Sequence, residues 1–209
     1  MDSSTAAQRK LVLKISVSLD GFVSGPNGEV DWVFKTIGGN DSADWILNTL
    51  RGAGTHIMGS RAYTDMAAFW PFSDSPIAVP MNDIPKVIFS RTGIENGTQG
   101  DRTGRPGVTP TAAVLQSWAA PTVASGDLRE EILRLKQQPG NYILAHGGAR
   151  FAQSLAASGL IDEYRLVIHP AILGHGQALF AEVPRPADLR LISATSFHSG
   201  IVAAVYEPA

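Results

Sequence analysis

Cysteine is absent from this chain of 209 residues. Its absence excludes disulfide bonds, thiolate nucleophiles, iron–sulfur clusters and cysteine-ligated zinc, and it fits a cytoplasmic location. Histidine is scarce as well, with five residues, and no two of them have the i, i+4 spacing with which a helix binds zinc. The sequence therefore predicts no metal site.

An excess of positive charge is also missing. Lysine and arginine number 17 and aspartate and glutamate 19, which gives a net charge of −2. Nucleic-acid-binding proteins normally carry a basic excess, so we expect no nucleic-acid partner. Met1–Lys10 is polar and lacks an apolar core segment, which predicts a flexible leader rather than a signal peptide or a membrane span. Residues 11–209 suit a single domain, because 44% of the chain is apolar.

The most informative stretch is Tyr142–Phe151, an apolar run that ends in the pair Gly147 and Gly148 and passes into an amphipathic segment. This pattern predicts a strand that leads into the start of a helix. Glycines at such a junction let the backbone approach a ligand, and the unpaired N–H groups of the first helical turn favour an anion such as a phosphate. A plain tight turn at the glycine pair is the alternative interpretation.

Two further strand ends carry residues suited to phosphate. Thr55–Met58 predicts a short buried strand, Gly59 follows it, and Ser60 is expected to cap a helix that begins near Arg61. The strand within Pro85–Thr92 ends in Ser90, Arg91 and Thr92, and arginine can hold a phosphate through two hydrogen bonds at once. Together the three features indicate a protein that binds a phosphorylated cofactor.

Strands and helices alternate along most of the chain. Besides the strands already named, apolar and β-branched runs predict strands over Leu11–Leu19, Pro121–Ala124 and Tyr164–His169 and a closing antiparallel hairpin from Leu189–Phe197 and Ile201–Tyr206. Helices are predicted after Asp41-Ser42 and Asp127, each placed as an N-cap, and over Arg150–Ser158. Residues 93–110 are rich in glycine and predict a surface insertion. The pattern indicates a mostly parallel α/β sheet whose ligands bind at the carboxyl ends of the strands.

The order and spacing of several short segments resemble one family, the dihydrofolate-reductase-like proteins, and within it the group of RibD C-terminal (riboflavin-biosynthesis reductase) domains. The match spans nearly the whole chain. The segments that carry it are Ser18–Phe22, Met58–Arg61, Phe89–Thr92, Ser125–Leu128, Ala145–Phe151 and Leu160–Glu163. The resemblance implies an α/β dihydrofolate-reductase-like fold, with a mostly parallel central sheet flanked by helices and a C-terminal antiparallel hairpin.

The resemblance also implies a homodimeric NADPH-dependent reductase that transfers hydride to a small pterin- or pyrimidine-like heterocycle, as a 5-amino-6-(5-phosphoribosylamino)uracil reductase does. A true dihydrofolate reductase and a non-catalytic NADPH-binding module are the alternatives. The residues that the resemblance places against the phosphates of the cofactor are Gly59, Ser60, Arg61, Gly147, Gly148, Ala149, Arg150 and Phe151, with Ser90 and Arg91 at the adenosine 2′-phosphate. A cis peptide within the glycine pair is a further expectation.

Two carboxylates are the candidate catalytic residues. Asp20 lies in the loop that, by resemblance, closes over the nicotinamide, where it could order the loop, contact substrate or simply form a turn with Gly21. Asp44 lies close to where dihydrofolate reductase carries its substrate-binding acid. An exposed aspartate in the first turn of a helix is the alternative interpretation of Asp44.

Overall fold

The structure is a computed structural model that describes residues 8–36, 41–94 and 108–209. Its strands are β1 (Leu11–Ser18), β2 (Phe22–Ser24), β3 (Thr55–Gly59), β4 (Lys86–Phe89), β5 (Thr122–Ala124), β6 (Ile143–Ala145), β7 (Glu163–His169), β8 (Gln177–Ala178), β9 (Leu189–Ser196) and β10 (Val202–Pro208). Its α-helices are α1 (Asp31–Thr36), α2 (Ala43–Arg51), α3 (Ser60–Phe69), α4 (Ala78–Asp83), α5 (Ala112–Ala119), α6 (Leu128–Lys136) and α7 (Ala149–Ser158).

Eight strands form the central sheet in the order β5-β4-β3-β6-β1-β7-β10-β9. The strands from β5 to β7 are parallel to their neighbours, while β10 pairs antiparallel with both β7 and β9. This arrangement confirms the mostly parallel sheet and the closing hairpin. It also brings the carboxyl ends of β3, β4, β5, β6, β1 and β7 to one edge of the sheet, because parallel strands end on the same side. A small antiparallel pair formed by β2 and β8 was not predicted.

Helices cover both faces of the sheet because the side chains of β1 alternate between them. Leu11, Leu13, Ile15 and Val17 pack in one cluster with residues of α6 and α7. Val12 points the other way and packs in a second cluster with residues of α2, α3, α4 and α5. Each fully buried aliphatic side chain contributes about 1.5–3 kcal/mol to folding. The central position of β1 therefore holds the two helical layers on the sheet.

The chain before β1 is partly built into the domain. The expected leader covered residues 1–10, but Arg9 is buried, and its guanidinium donates to the Asn141 carbonyl at 2.5 Å and to Thr55 Oγ1 at 2.8 Å. Arg9 is therefore part of the folded domain, because its side chain joins the starts of two strands. Residues 1–7 lie outside the described residues.

The capping of α2 differs from the expectation. The helix begins at Ala43, and Ser42 makes no side-chain hydrogen bond at its start. Asp41 instead accepts hydrogen bonds from the backbone N–H of Ser199 at 3.0 Å and from its hydroxyl at 2.9 Å. The start of α2 is thereby attached to the turn between β9 and β10. By contrast, Asp127 caps α6 as expected, by accepting from the backbone N–H groups of the first turn.

Most of the predicted insertion over residues 93–110 lies outside the described residues, which stop at residue 94 and resume at residue 108. In the ranges that are described, no helix has the length and apolar character needed to cross a bilayer.

Candidate active site

Two helix starts lie side by side at the carboxyl edge of the sheet. A Cβ added to Gly59 would lie 3.3 Å from the Cβ of Phe151, and one added to Gly148 would lie 3.3 Å from the Cβ of Ala62. Gly59 precedes α3 and Gly148 precedes α7, and the φ of Gly148 is +108°, a conformation that favours glycine. The absence of side chains at both positions allows the first turns of α3 and α7 to pack closely.

Backbone N–H groups at these two helix starts receive no side-chain cap. The expected capping role of Ser60 is wrong, because the extended residue at the N-cap position is Gly59 and Ser60 is already the first residue of the helix. The peptide bond between Gly147 and Gly148 is trans, which corrects the cis expectation. Uncapped N–H groups at the end of a helix dipole favour an anion. The two helix starts are therefore suited to bind a phosphate.

The end of β4 supplies further groups to this edge. The Ser90 N–H donates to the Ala124 carbonyl at 3.1 Å, and the Ser90 hydroxyl donates to the Gly93 carbonyl at 2.6 Å. Arg91 is exposed, as are Arg61 and Arg150 at the helix starts. Ala149 and Phe151 are half-buried, and the Phe151 ring packs against that of Phe89 with centroids 5.1 Å apart. Exposed guanidinium groups thus surround an edge whose backbone already favours anions.

Asp20 lies in the loop after β1 and joins it to a second loop. Its carboxylate accepts hydrogen bonds from the Ser18 hydroxyl at 2.6 Å, from the Leu173 N–H at 3.1 Å and from the Gly174 N–H at 2.8 Å. The hydrogen bond from the Ser18 hydroxyl is the largest of the effects that lower the pKa of Asp20. The contacts of this carboxylate are those expected of a residue that orders the loop.

Replacing Asp20 with asparagine is expected to loosen the loop over residues 171–176 without unfolding the protein. The amide has one acceptor oxygen instead of two and no negative charge, so it cannot keep all three hydrogen bonds. Hydrogen exchange at the Leu173 and Gly174 amides should become several-fold faster, whereas an Asp44→Asn control should leave it unchanged. Equal protection in the Asp20→Asn protein would contradict the ordering role.

Asp44 is exposed on the first turn of α2. The same helix directs Leu47 and Leu50 into the protein, and Ile46 lines a cavity described below. Asp44 is not among the residues that line this cavity, nor does it line the shallower pocket beside Trp32 and His175. The structure therefore does not bring it together with the other candidate site residues.

A cavity of about 190 Å³ opens on the side of the sheet covered by α2, α3 and α4. Its polar lining consists of Lys14, Ser16, Ser42, His146 and His169. Its apolar lining consists of Val33, Phe34, Ile46, Leu50, Met66, Trp70, Ile77, Met81, Val167 and Ile201. The cavity therefore has one cluster of polar groups inside an otherwise apolar wall, which is the usual make-up of a small-molecule site.

Lys14 is the most unusual of the polar groups. It lies on β1, the central strand, and among the described residues no carboxylate forms an ion pair with it. Burial without a counter-charge lowers the pKa of Lys14 from 10.5 to about 8. An ammonium group that releases its proton so readily is suited to proton transfer near neutral pH.

His146 and Ser42 line the same cavity. His146 Nε2 and Ser42 Oγ are both buried and have no hydrogen-bond partner in the described part of the chain. Burial lowers the pKa of His146 well below its usual value, with further lowering from His56, Lys14 and Lys86, so the imidazole is neutral at pH 7. Buried polar atoms normally have partners, so these two favour a bound polar ligand.

The sequence analysis missed Lys14, although β1 carries a signal for it. A central parallel strand is covered on both faces and is normally apolar throughout, yet Lys14 and Ser16 interrupt β1 on a single face. Polar residues at alternate positions of such a strand indicate a site on that face. No cluster of histidine, aspartate and glutamate among the described residues could hold a metal ion.

Comparison with known proteins gives the family. The model of the RibD C-terminal domain matches residues 9–203. The uncharacterized protein YyaP of Bacillus subtilis (strain 168) is 29% identical over 204 residues, which cover 95% of each chain. The uncharacterized protein YwjB of the same organism is 27% identical over 194 residues, which cover 93% of this chain and 95% of YwjB.

Solved structures show the same fold. A Shewanella sp. PV-4 protein named for riboflavin biosynthesis superposes with a TM-score of 0.68 at 20% identity, over 96% of this chain and 99% of its own. A pyrimidine reductase-like protein of Corynebacterium diphtheriae superposes with a TM-score of 0.64 at 15% identity. The superposition covers 100% of this chain and 95% of that protein. A third structure superposes with a TM-score of 0.65 at 16% identity, over 97% of this chain and 57% of that protein. It is the diaminohydroxyphosphoribosylaminopyrimidine deaminase/5-amino-6-(5-phosphoribosylamino)uracil reductase of Thermotoga maritima. With the match of the domain model across residues 9–203, these findings show that the chain belongs to the RibD C-terminal domain family, whose fold is reductase-like.

Proposed function

We propose that this protein is an NADPH-dependent reductase of the RibD C-terminal type that transfers hydride to a small ring compound of the pterin or pyrimidine kind. One observation carries the proposal. His146 lines the cavity, and the next two residues are Gly147 and Gly148, which lead into α7. The phosphate-suited edge and the cavity therefore meet at the end of β6, as a site for a dinucleotide and a second reactant requires.

The residues present fit a dinucleotide. Gly59 and Gly148 leave the first turns of α3 and α7 without side-chain caps, so their backbone N–H groups are available to a pyrophosphate. Arg61, Arg91 and Arg150 are exposed around this edge, where a guanidinium can hold a phosphate through two hydrogen bonds. In this proposal Ser90 and Arg91 contact the 2′-phosphate that distinguishes NADPH from NADH.

The chain's own residues would position the substrate and move the proton. The bound dinucleotide supplies the hydride. Lys14 holds a proton at Nζ inside the cavity, and its pKa of about 8 keeps it protonated at pH 7 yet able to give the proton up. His146 is neutral and offers a nitrogen to the substrate, while the apolar wall excludes water.

Parallel titrations with NADPH and NADH test the cofactor assignment without a known substrate. We expect the protein to bind NADPH more tightly, and Arg91→Ala to remove most of that preference, which is about 1.5–3 kcal/mol for a charged hydrogen bond. Arg51→Ala is the matched control, because Arg51 is exposed at the end of α2, near the opposite edge of the sheet. If neither nucleotide binds, the glycine junctions are only turns. Tight NADPH binding without turnover of any acceptor would indicate a non-catalytic binding module.

The proposal includes a homodimer, and β9 is the surface that favours it. All eight residues of β9 are exposed at the end of the sheet, including Leu189, Leu191 and Ile192. Contiguous exposed apolar residues commonly mark a protein interface. We expect light scattering after gel filtration to give twice the chain mass, and Ile192→Lys to shift the protein towards monomer, while Arg190→Lys does not. A monomer at micromolar concentration would contradict this part of the proposal.

A further inference from the structure

The serine at the start of α2 has a hydroxyl group that the helix does not use. Ser42 occupies the N-cap position, where a serine hydroxyl normally accepts a hydrogen bond from the first turn. Its backbone is helical rather than extended, with φ −88° and ψ −5°, and the hydroxyl makes no capping hydrogen bond. In the described part of the chain the buried Oγ has no other partner. Buried hydroxyl groups normally have one, so that of Ser42 is available to a ligand.

The position of Ser42 in the cavity wall shows where such a ligand would lie. The residue is 1% exposed and lines the cavity beside Ile46, whose N–H donates to the Ser42 carbonyl at 3.1 Å. The hydroxyl is carried by a single rotatable bond, so it can turn to a bound molecule without movement of the backbone. An apolar contact from Ile46 and a hydrogen bond from Ser42 would then act on the same ring.

The backbone of Ser42 is fixed by the residue before it. The Asp41 carboxylate accepts hydrogen bonds from the N–H and the hydroxyl of Ser199, at 3.0 and 2.9 Å. Ile201, two residues beyond Ser199, is fully buried and lines the same cavity. The contact therefore joins two segments 158 residues apart, each of which carries a cavity-lining residue within two positions. Asp41 thus holds two parts of the cavity wall together.

We infer that Ser42 is a substrate-binding residue of this cavity and that Asp41 is its positioning residue. The Ser42 hydroxyl forms a hydrogen bond with a polar atom of the bound ring, and Asp41 keeps the start of α2 against the turn between β9 and β10. The inference rests on the proposed function and adds to it a residue that selects a heterocycle over a carbocycle of the same shape. A hydroxyl both donates and accepts, so it suits a ring N–H as well as a carbonyl oxygen.

Pterin and naphthalene test the role of Ser42. Both are flat systems of two fused six-membered rings, but only pterin has polar ring atoms. We expect Ser42→Ala to weaken pterin binding about three- to tenfold in fluorescence titrations with and without NADPH, which is the effect of one hydrogen bond. Naphthalene has no atom for the hydroxyl to bind, so its affinity should change by less than a factor of about two.

The stability of the same variant separates binding from support of the fold. Ser42→Ala removes a buried hydroxyl that has no partner, so the free energy of unfolding without ligand should stay the same or rise. A residue that only supports the fold would lose stability and ligand affinity together. Urea denaturation of the parent and of Ser42→Ala distinguishes the two cases.

A double-mutant cycle tests the role of Asp41. Asp41→Ala should weaken pterin binding in the parent protein but have no further effect in the Ser42→Ala protein, because its influence on the ligand passes through the Ser42 hydroxyl. Asp41→Asn keeps one acceptor oxygen and should give an intermediate affinity. Asp188→Ala is the matched control, since Asp188 is exposed at the opposite end of the same hairpin and should change neither affinity.

Thiol labelling follows the same contact without a ligand. The chain has no cysteine, so Ser42→Cys introduces a single thiol. We expect N-ethylmaleimide to label it at least about tenfold more slowly than the exposed thiol of Ser193→Cys, because labelling requires local opening. Adding Asp41→Ala should speed the labelling of Ser42→Cys several-fold, since the start of α2 is then no longer attached to Ser199.

Four results would overturn the inference. Pterin that does not bind, or that binds Ser42→Ala as tightly as the parent, removes the role of Ser42. An equal effect of Asp41→Ala with and without the Ser42 hydroxyl, or a Ser42→Cys thiol as reactive as the exposed one, removes the positioning role of Asp41. If NADPH binds while any of these results is found, the inference alone fails. Failure to bind NADPH defeats the proposed reductase, whatever happens to pterin.

Discussion

Replacing Lys14 with methionine is expected to stabilise the protein. The lowering of the Lys14 pKa from 10.5 to about 8 means that folding is penalised wherever the unfolded chain binds the proton more tightly. The penalty is absent above pH 10.5, grows as the pH falls towards 8 and is complete below it. At pH 7 it amounts to about 3 kcal/mol as an upper limit. Methionine has a similar shape and no charge, so urea denaturation at pH 7 should show most of this gain.

The same substitution is expected to remove turnover. Loss of a positioned proton donor costs about 10²–10⁴-fold in rate. NADPH affinity should stay unchanged, because the cofactor residues lie on other strands and helices. Lys35→Met is the control, since Lys35 is an exposed lysine on α1 and should change neither quantity. A Lys14→Met protein that is less stable at pH 7, or as active as the parent, would contradict the cavity assignment. The gain in stability should also vanish when the comparison is made above pH 10.5.

A second large effect is expected below neutral pH, where the protein should lose stability steeply. Burial lowers the pKa of His56 to about 3, with a further effect of Lys86, lowers that of His169 to about 4, and lowers that of His146 well below 6.5. Once the pH falls through 6.5, the unfolded chain takes up protons that the folded protein does not. The protein keeps losing stability until the pH reaches the pKa that each histidine has in the folded state. Three such groups give a slope of up to about 4 kcal/mol per pH unit.

Urea denaturation between pH 7.5 and pH 5 measures this slope. His56→Gln should reduce it by about one third, because one of the three groups no longer titrates, whatever the change costs in absolute stability. His175→Gln is the matched control, since His175 is exposed and its removal should leave the slope as it was. A stability that stays constant from pH 7.5 to pH 5 would show that the buried imidazoles accept protons in the folded state.

The strands of the sheet could be predicted well, because the apolar and β-branched runs that indicate a strand are local in the sequence and occur repeatedly. β1, β7 and the hairpin of β9 and β10 agree with the expected ranges to within two residues. The predicted end of α7 at Ser158 is also confirmed, and Gly159 follows it with φ +67°. The glycine junctions before α3 and α7 could be found as well, since strand, glycine and helix follow one another directly in the chain.

The cavity could not be predicted in the same way, because its residues come from distant parts of the chain. Lys14, Ser42 and His146 meet only after β6 is inserted beside β1, and no local pattern encodes that order. The pair formed by β2 and β8 was not predicted for the same reason, because its two strands lie far apart in the chain. Asp41 was placed as a helix cap because a local role was the only one visible, whereas its partner Ser199 is 158 residues away.

The buried position of Arg9 at the amino edge of the sheet bears on where a tag or a second domain can be attached to the protein. Its guanidinium joins Asn141 and Thr55 where β6 and β3 begin, so the described chain enters the domain at the edge opposite the glycine junctions. An affinity tag or a whole domain fused ahead of Arg9 would join the protein at that edge, away from the glycine junctions. N-terminal fusions should therefore be compatible with an accessible site, and immobilisation through that end would leave the reactive edge facing the solution.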